Sequence, residues 1–206
     1  YQTLRDRVDV EFPASNPVQL SPTNEVALDV VLKNAPQVLV RLFEINTLGF
    51  FTTQNRQLNT DLNLDGLVAN SEQTLAGDAS PFRRVVKTLN FPELKGRRGA
   101  WIIEVIAGGK SSRALVRKGQ YSLVQQTGAA GEWITPLDEM HRPVPGVSAW
   151  LDGRRLDPEK NGRILIPFTR EPGRRQLVLA DADGGFACLV PFDHSGEDYR
   201  LDAQFH

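Results

Sequence analysis

Asp61, Asn63 and Asp65 alternate with leucines, Gly66 follows, and Glu72 stands six residues further on. This spacing fits the calcium-binding loop of an EF-hand: oxygen ligands at positions 1, 3 and 5, glycine at 6 and glutamate at 12, with Val68 at the apolar position 8. A hard divalent cation wants several carboxylate and carbonyl oxygens, so the chemistry is sound. An EF-hand also needs a helix on each side. Here Leu58, Thr60, Leu62 and Leu64 alternate upstream, and a polar stretch with Gly77 and Pro81 lies downstream. A strand carrying Asp61, Asn63 and Asp65 on its wet face accounts for the same letters. The expectation is therefore no metal site, with calcium on Asp61, Asn63, Asp65 and Glu72 as the alternative.

Other reactive residues lack the setting their chemistry requires. Gly109-Lys110-Ser111 has the end of a phosphate-binding loop, but position 104 is Glu where that loop needs glycine, and a hairpin tip is expected. Asp193-His194-Ser195 has the letters of a hydrolase triad, yet adjacent residues do not converge as a triad must, and no nucleophile elbow is present. His141 sits in a polar turn and His206 is terminal; no His or Cys spacing suggests zinc. Asp138, Glu139, Glu197 and Asp198 could form an acid–base pair only if the fold brought them together. Trp101, Trp133, Trp150 and Tyr121 could stack on a sugar, but Trp101 and Trp150 lie in apolar strands and are expected in the core. Cys188, the single cysteine, reads as a buried thiol within Gly-Phe-Ala-Cys-Leu-Val. No catalytic residue and no cofactor site is expected.

The elements that would position these groups are strands. Trp101 to Ala107 is almost continuously apolar, Gly108-Gly109 follows, and Arg113 to Val116 returns, which predicts a hairpin with a deeply buried first arm. Strands are also predicted at 8–12, 24–33, 37–46, 58–64 and 82–91, with 70–81 a polar loop. Beyond Lys118-Gly119, Tyr121 to Val124 reads as a strand before the soft Gln125 to Gly131 stretch. Strands are then predicted at 132–137, 147–151, 163–168, 176–180, 186–192 and 199–205. Asp152-Gly153, Asn161-Gly162 and Asp183-Gly184-Gly185 supply turns between them. No run of 10 or more residues has helical spacing. The fold class expected is all-β, two tandem β-sandwich domains at 1–119 and 120–206.

Composition narrows the function classes. The net charge of −1 gives no bulk attraction to nucleic acid, and no apolar run is long enough to insert into a membrane. Charge is segregated: residues 82–118 carry 10 basic and 2 acidic side chains, and residues 1–81 carry 5 and 10. Arg83, Arg84, Lys87, Arg97, Arg98, Arg113, Arg117 and Lys118 are expected to pair with the acidic flanks rather than form a polyanion site. A start at Tyr1 with no signal peptide suggests a processed protein or a piece of a longer one.

Gly99 with Trp101 to Glu104, Pro143-Val144-Pro145-Gly146-Val147, and Asn161-Gly162-Arg163-Ile164 carry a likeness. From about 82 to 168 the chain resembles the macroglobulin-type domains of bacterial alpha-2-macroglobulin-like proteins; carboxypeptidase-regulatory and transthyretin-like sandwiches share the second element. The resemblance implies a scaffold portion of a large secreted, periplasmic or cell-surface protein. Its partners would be neighbouring domains of the same polypeptide and other proteins. The family's reactive thioester needs Cys-Gly-Glu-Gln, and this chain has Cys188-Leu189-Val190-Pro191. The expected function is a non-catalytic structural and interaction module. A carbohydrate- or surface-adhesion module, or an accessory domain of a larger enzyme, is the alternative.

Overall fold

A computed structural model describes residues 5–80 and 82–197. The strand predicted at 199–205, His206, Asp198 and Pro81 lie outside the described residues. The chain is an all-β sandwich protein that divides into two compact units. One takes the chain up to Thr47 together with Gln57–Gly119; the other takes Leu48–Arg56 and the chain from Gln120 onward.

The first unit stacks two sheets. Strands β1 (Asp9–Glu11), β3 (Val26–Lys33) and β6 (Val85–Phe91) form one, in the order β1-β3-β6. Strands β2 (Gln19–Leu20), β4 (Ala35–Ile45), β5 (Ser71–Asp78), β7 (Gly99–Ala107) and β8 (Lys110–Lys118) form the other, in the order β2-β8-β7-β4-β5. All pairs are antiparallel except β2 with β8. Successive side chains on a strand face opposite ways. Val26, Leu28, Val30 and Leu32 of β3 therefore meet Trp101, Ile103 and Val105 of β7 and Val116 of β8 in one core. The turn between β7 and β8 needs positive φ at two successive residues, and Gly108 (52°) and Gly109 (75°) supply it without steric cost.

The second unit contains β9 (Ser122–Gly128), β10 (Gly131–Leu137), β11 (Ser148–Leu151), β12 (Arg154–Leu156), β13 (Ile164–Pro167), β14 (Gly173–Ala180) and β15 (Ala187–His194). Its sheets run β13-β10-β9 and β12-β11-β14-β15. Ile134, Val147, Ala149, Ile164, Leu177, Leu179 and Phe192 make its core. Asp152 and Gly153, at φ 49° and 78°, turn the chain from β11 into β12.

Two local expectations need correction, and one further element appears. Residues 58–64 form no strand. The side-chain carbonyls of Asn59 and Asn63 accept the backbone N–H groups of Asp61 and Asp65 at 3.2 and 2.9 Å, which turns the chain locally instead of leaving it free to pair. Leu58 and Leu64 are buried, so their alternation reflects a covering loop. Residues 70–81 are not all loop, because β5 occupies 71–78. It is an edge strand, mostly exposed on both faces, so it carries no alternating apolar signal. Finally, Thr47–Gln54 is a helix, α1, of eight residues. At just over two turns it is too short to display a stable periodicity.

Lys118 is fully buried at the end of β8, on the same face as Val116. Its ammonium donates to the carbonyls of Asn24 (2.6 Å) and Leu94 (2.5 Å). Burial, with a contribution from the charge of Lys95, holds its pKa below the ordinary 10.5. The unfolded chain then binds the proton more tightly than the folded one. Stability should therefore rise with pH between the lowered folded value and the ordinary value. Lys118→Met removes a donor from buried carbonyls and is expected to cost about 1–3 kcal/mol. Urea titrations of both proteins across alkaline pH check this. The variant should unfold at lower urea near neutrality and lose the alkaline gain.

Candidate interaction surface

The outer face of the five-stranded sheet, opposite its core, carries a row of alternating charges. Glu72 of β5 is opposite Arg41 of β4, Arg41 is opposite Glu104 of β7, and Glu104 is opposite Arg113 of β8. Directly opposed residues on adjacent strands are close enough to pair. Arg41 Nε lies 2.8 Å from Glu72 Oε2, and Arg113 Nε lies 2.9 Å from Glu104 Oε1. Glu104 is buried, so its partner prevents an uncompensated charge. Arg113 also donates through Nη1 to the carbonyl of Leu62 at 3.1 Å, which fixes the 58–66 loop over this face.

The same geometry gives the residues singled out for calcium other contacts. Glu72 is spent on Arg41 at the far edge of the sheet. Asp61, Asn63 and Asp65 are exposed, and all three take part in the turns of their own loop. Among the described residues no three His, Cys, Asp or Glu side chains come together as a metal cluster.

The basic segment is largely neutralised. Arg84 meets Asp9 at 3.0 Å, Arg97 meets Glu44 at 2.6 Å, and Arg83 lies 3.8 Å from Asp78. Lys87 donates to the carbonyl of Ala76, so β6 is tied to the edge strand β5. Burial alone would raise the pKa of Asp9, but bonds from Arg7 and Arg84 outweigh it and hold the carboxyl below its usual range. Arg117 differs. Its Nη1 donates to Gln57 Oε1 at 3.1 Å, its Nε is buried without a hydrogen-bond partner, and no carboxylate among the described residues forms an ion pair with it.

Arg117 lines a cleft of about 360 Å³ with Phe12, Pro13, Pro17, Leu58 and Leu115. One wall is anchored by Asn16, whose side chain donates to Asp29 O and accepts from Asp29 N, both at 2.8 Å, in the manner of a paired strand. Sequence reasoning grouped Arg117 with the other cations and missed this cleft. The available signal was Pro13 and Pro17 close before β2, since proline lacks the N–H that would extend a ladder.

In the second unit the carboxylates serve structure. Asp138 accepts the backbone N–H groups of Met140 (2.8 Å) and Arg142 (2.9 Å) and a two-pronged bond from the Arg142 guanidinium. The Arg142 backbone bond, then its side chain, hold the Asp138 carboxyl below its usual range. Glu139 accepts the Gln120 N–H at 2.8 Å. Glu197 sits past β15 in a recess with Phe168 and Ser195, in which neither Asp138 nor Glu139 takes part. The aromatic residues form no shared face. Trp101 is in the first core and Tyr121 in the second, Trp133 lies against Arg163, and Trp150 is half-buried on β11. Trp150 therefore departs from the expected core position. His194 bonds the carbonyl of Pro167 at 2.8 Å, His141 is exposed in a turn, and Cys188, half-buried, accepts the Tyr121 N–H at 3.3 Å.

Comparison with known proteins bears on this surface. The family described as AbpF first immunoglobulin-like domain matches residues 38–119. Actin-binding protein F of Dictyostelium discoideum is 34% identical over 204 residues, covering 97% of this chain. The chain spans 9% of the length of that relative. Two structures of native alpha-2-macroglobulin from Escherichia coli share the fold. The one spanning domains MG0-NIE-MG1 has a TM-score of 0.52 and 13% identity over 91% of this chain and 64% of that one. The one spanning NIE-MG1 has a TM-score of 0.50 and 14% identity over 91% and 97%. These two likenesses speak for architecture alone. The stretch matched by the family model contains β5, β7, β8 and most of β4, hence the whole charge row.

Calorimetric titration with calcium is expected to show no binding at micromolar concentrations. A site that appears there and vanishes in Asp61→Ala would reverse the assignment of this loop.

Proposed function

We propose that this chain is a non-catalytic structural and interaction segment of a longer protein, built as two tandem sandwiches at 1–119 and 120–206, with Leu48–Arg56 of the first span belonging to the second unit. The observation that carries the reading is the match to Actin-binding protein F, which runs along 97% of this chain yet occupies 9% of that relative. The immunoglobulin-like match to 38–119 supports the same reading. So does the use of the charged groups described above in pairing and turn formation. The relative's name makes actin the first partner to test. A secreted, periplasmic or cell-surface scaffold is the second reading; the two alpha-2-macroglobulin structures lend it a shared architecture and no more. No helix among the described residues is long and apolar enough to cross a membrane.

The test is cosedimentation of the full chain with filamentous actin at several salt concentrations. Saturable recovery in the pellet is the expected result, weakening with salt where surface charge contributes. A chain that stays in the supernatant at every concentration would remove actin as the partner and favour the scaffold reading.

A further inference from the structure

Backbone pairing on the outer edge of β8 is confined to one end; at the other, the Phe12 N–H donates to Ser112 Oγ at 3.0 Å, and Arg113 and Leu115 lie between. Arg117 N donates to Val18 O at 2.7 Å and Gly119 N to Leu20 O at 3.2 Å, which is the short parallel pairing with β2. In a strand the backbone groups of every second residue point to the same edge. The N–H and C=O groups of Arg113 and Leu115 therefore face the edge that Arg117 faces, away from β7. No backbone bond from another segment reaches them among the described residues. The chain that would continue β2 alongside them contains Pro13 and Pro17, and Asn16 holds it against β3 instead. The cleft opens in the space left beside β8, with Phe12, Pro13 and Leu58 as apolar walls. At its end lies Arg117, with no carboxylate partner, whereas the neighbouring Arg113 is neutralised by Glu104.

We propose that this cleft takes an extended peptide segment of a partner protein, which adds as a strand to β8 at Arg113 and Leu115 and sets a carboxylate on Arg117. The inference rests on the interaction-module reading and gives it a location. Two unpaired backbone positions spaced by two residues are what an added strand requires, and the apolar walls receive its alternate side chains. Charge complementarity selects an acidic segment, because a carboxylate would meet the guanidinium charge of Arg117, which no carboxylate among the described residues neutralises.

The probe is a fluorescein-labelled peptide of alternating valine and threonine with one glutamate near its end, measured by anisotropy against the full chain. A second peptide carries lysine in place of the glutamate. Two more carry N-methyl groups on one or the other alternate set of backbone nitrogens. The glutamate peptide is expected to bind at least about tenfold more tightly than the lysine peptide. Arg117→Met should abolish that preference. One N-methyl peptide should bind like the parent and the other should lose at least about tenfold, because only one edge of an added strand pairs with β8. Equal binding of the two N-methyl peptides, a glutamate preference that survives Arg117→Met, or no binding at all would overturn the proposal. So would a concentration-dependent dimer that blocks the peptide, since the occupant would then be a second copy. Cosedimentation of Arg117→Met with actin separates the two levels. A peptide failure with actin recovery intact removes only this cleft, whereas loss of actin recovery by the unaltered chain removes actin as the partner.

Discussion

The strand β7 is buried on both faces, and the first unit is arranged to satisfy that condition. Trp101, Ile103 and Val105 point into the core shared with β3, and Ile102 and Glu104 point the other way yet are equally hidden. A sheet in a two-layer sandwich ordinarily wets its outer side. Here the chain between α1 and β5 returns over that side and places Leu58 and Leu64 out of water. Burying such side chains contributes about 1.5–3 kcal/mol each, well above the few tenths typical of an exposed ion pair. The loop is therefore held mainly by its leucines, and its acidic residues are left facing solvent.

Once the outer face is covered, its polar groups need partners. Glu104 finds Arg113 directly across the ladder, and Arg113 in turn secures the loop through the Leu62 carbonyl. The opposite face meets the same demand with Lys118, whose ammonium serves two backbone carbonyls. Both arrangements follow from β8 alternating between the two faces. Arg113, Leu115 and Arg117 fall on one side, Ala114, Val116 and Lys118 on the other. Arg117 is the member of the outer set left without a carboxylate, and it stands where the edge of β8 loses its neighbour.

Much of this fold could be read from residues whose conformation is fixed locally. Gly108-Gly109 and Asp152-Gly153 reverse the chain because positive φ is cheap there, and the strands on either side follow. Alternation placed the core of β3 because one of its faces is apolar throughout. The same rule misled at Leu58 to Leu64, where leucines alternate in a loop whose asparagines close local turns. It was silent at β5, whose edge position leaves both faces mostly wet. The calcium pattern at Asp61, Asn63 and Asp65 has the right letters, but its twelfth residue, Glu72, lies on a strand whose register faces it toward Arg41. Pairing of the basic segment with upstream carboxylates was legible from charge segregation. Which cation would remain unpaired was not, since that depends on register.

Lys118 has a consequence for the chemistry of the chain's amines. Reagents and enzymes that acylate lysine need the side chain to leave its surroundings, and this one is enclosed while the other described lysines reach solvent at least in part. Modification at Lys118 therefore records the opening of the first sandwich rather than the accessibility of its surface. The amine acts as an internal clock for how often that body comes apart.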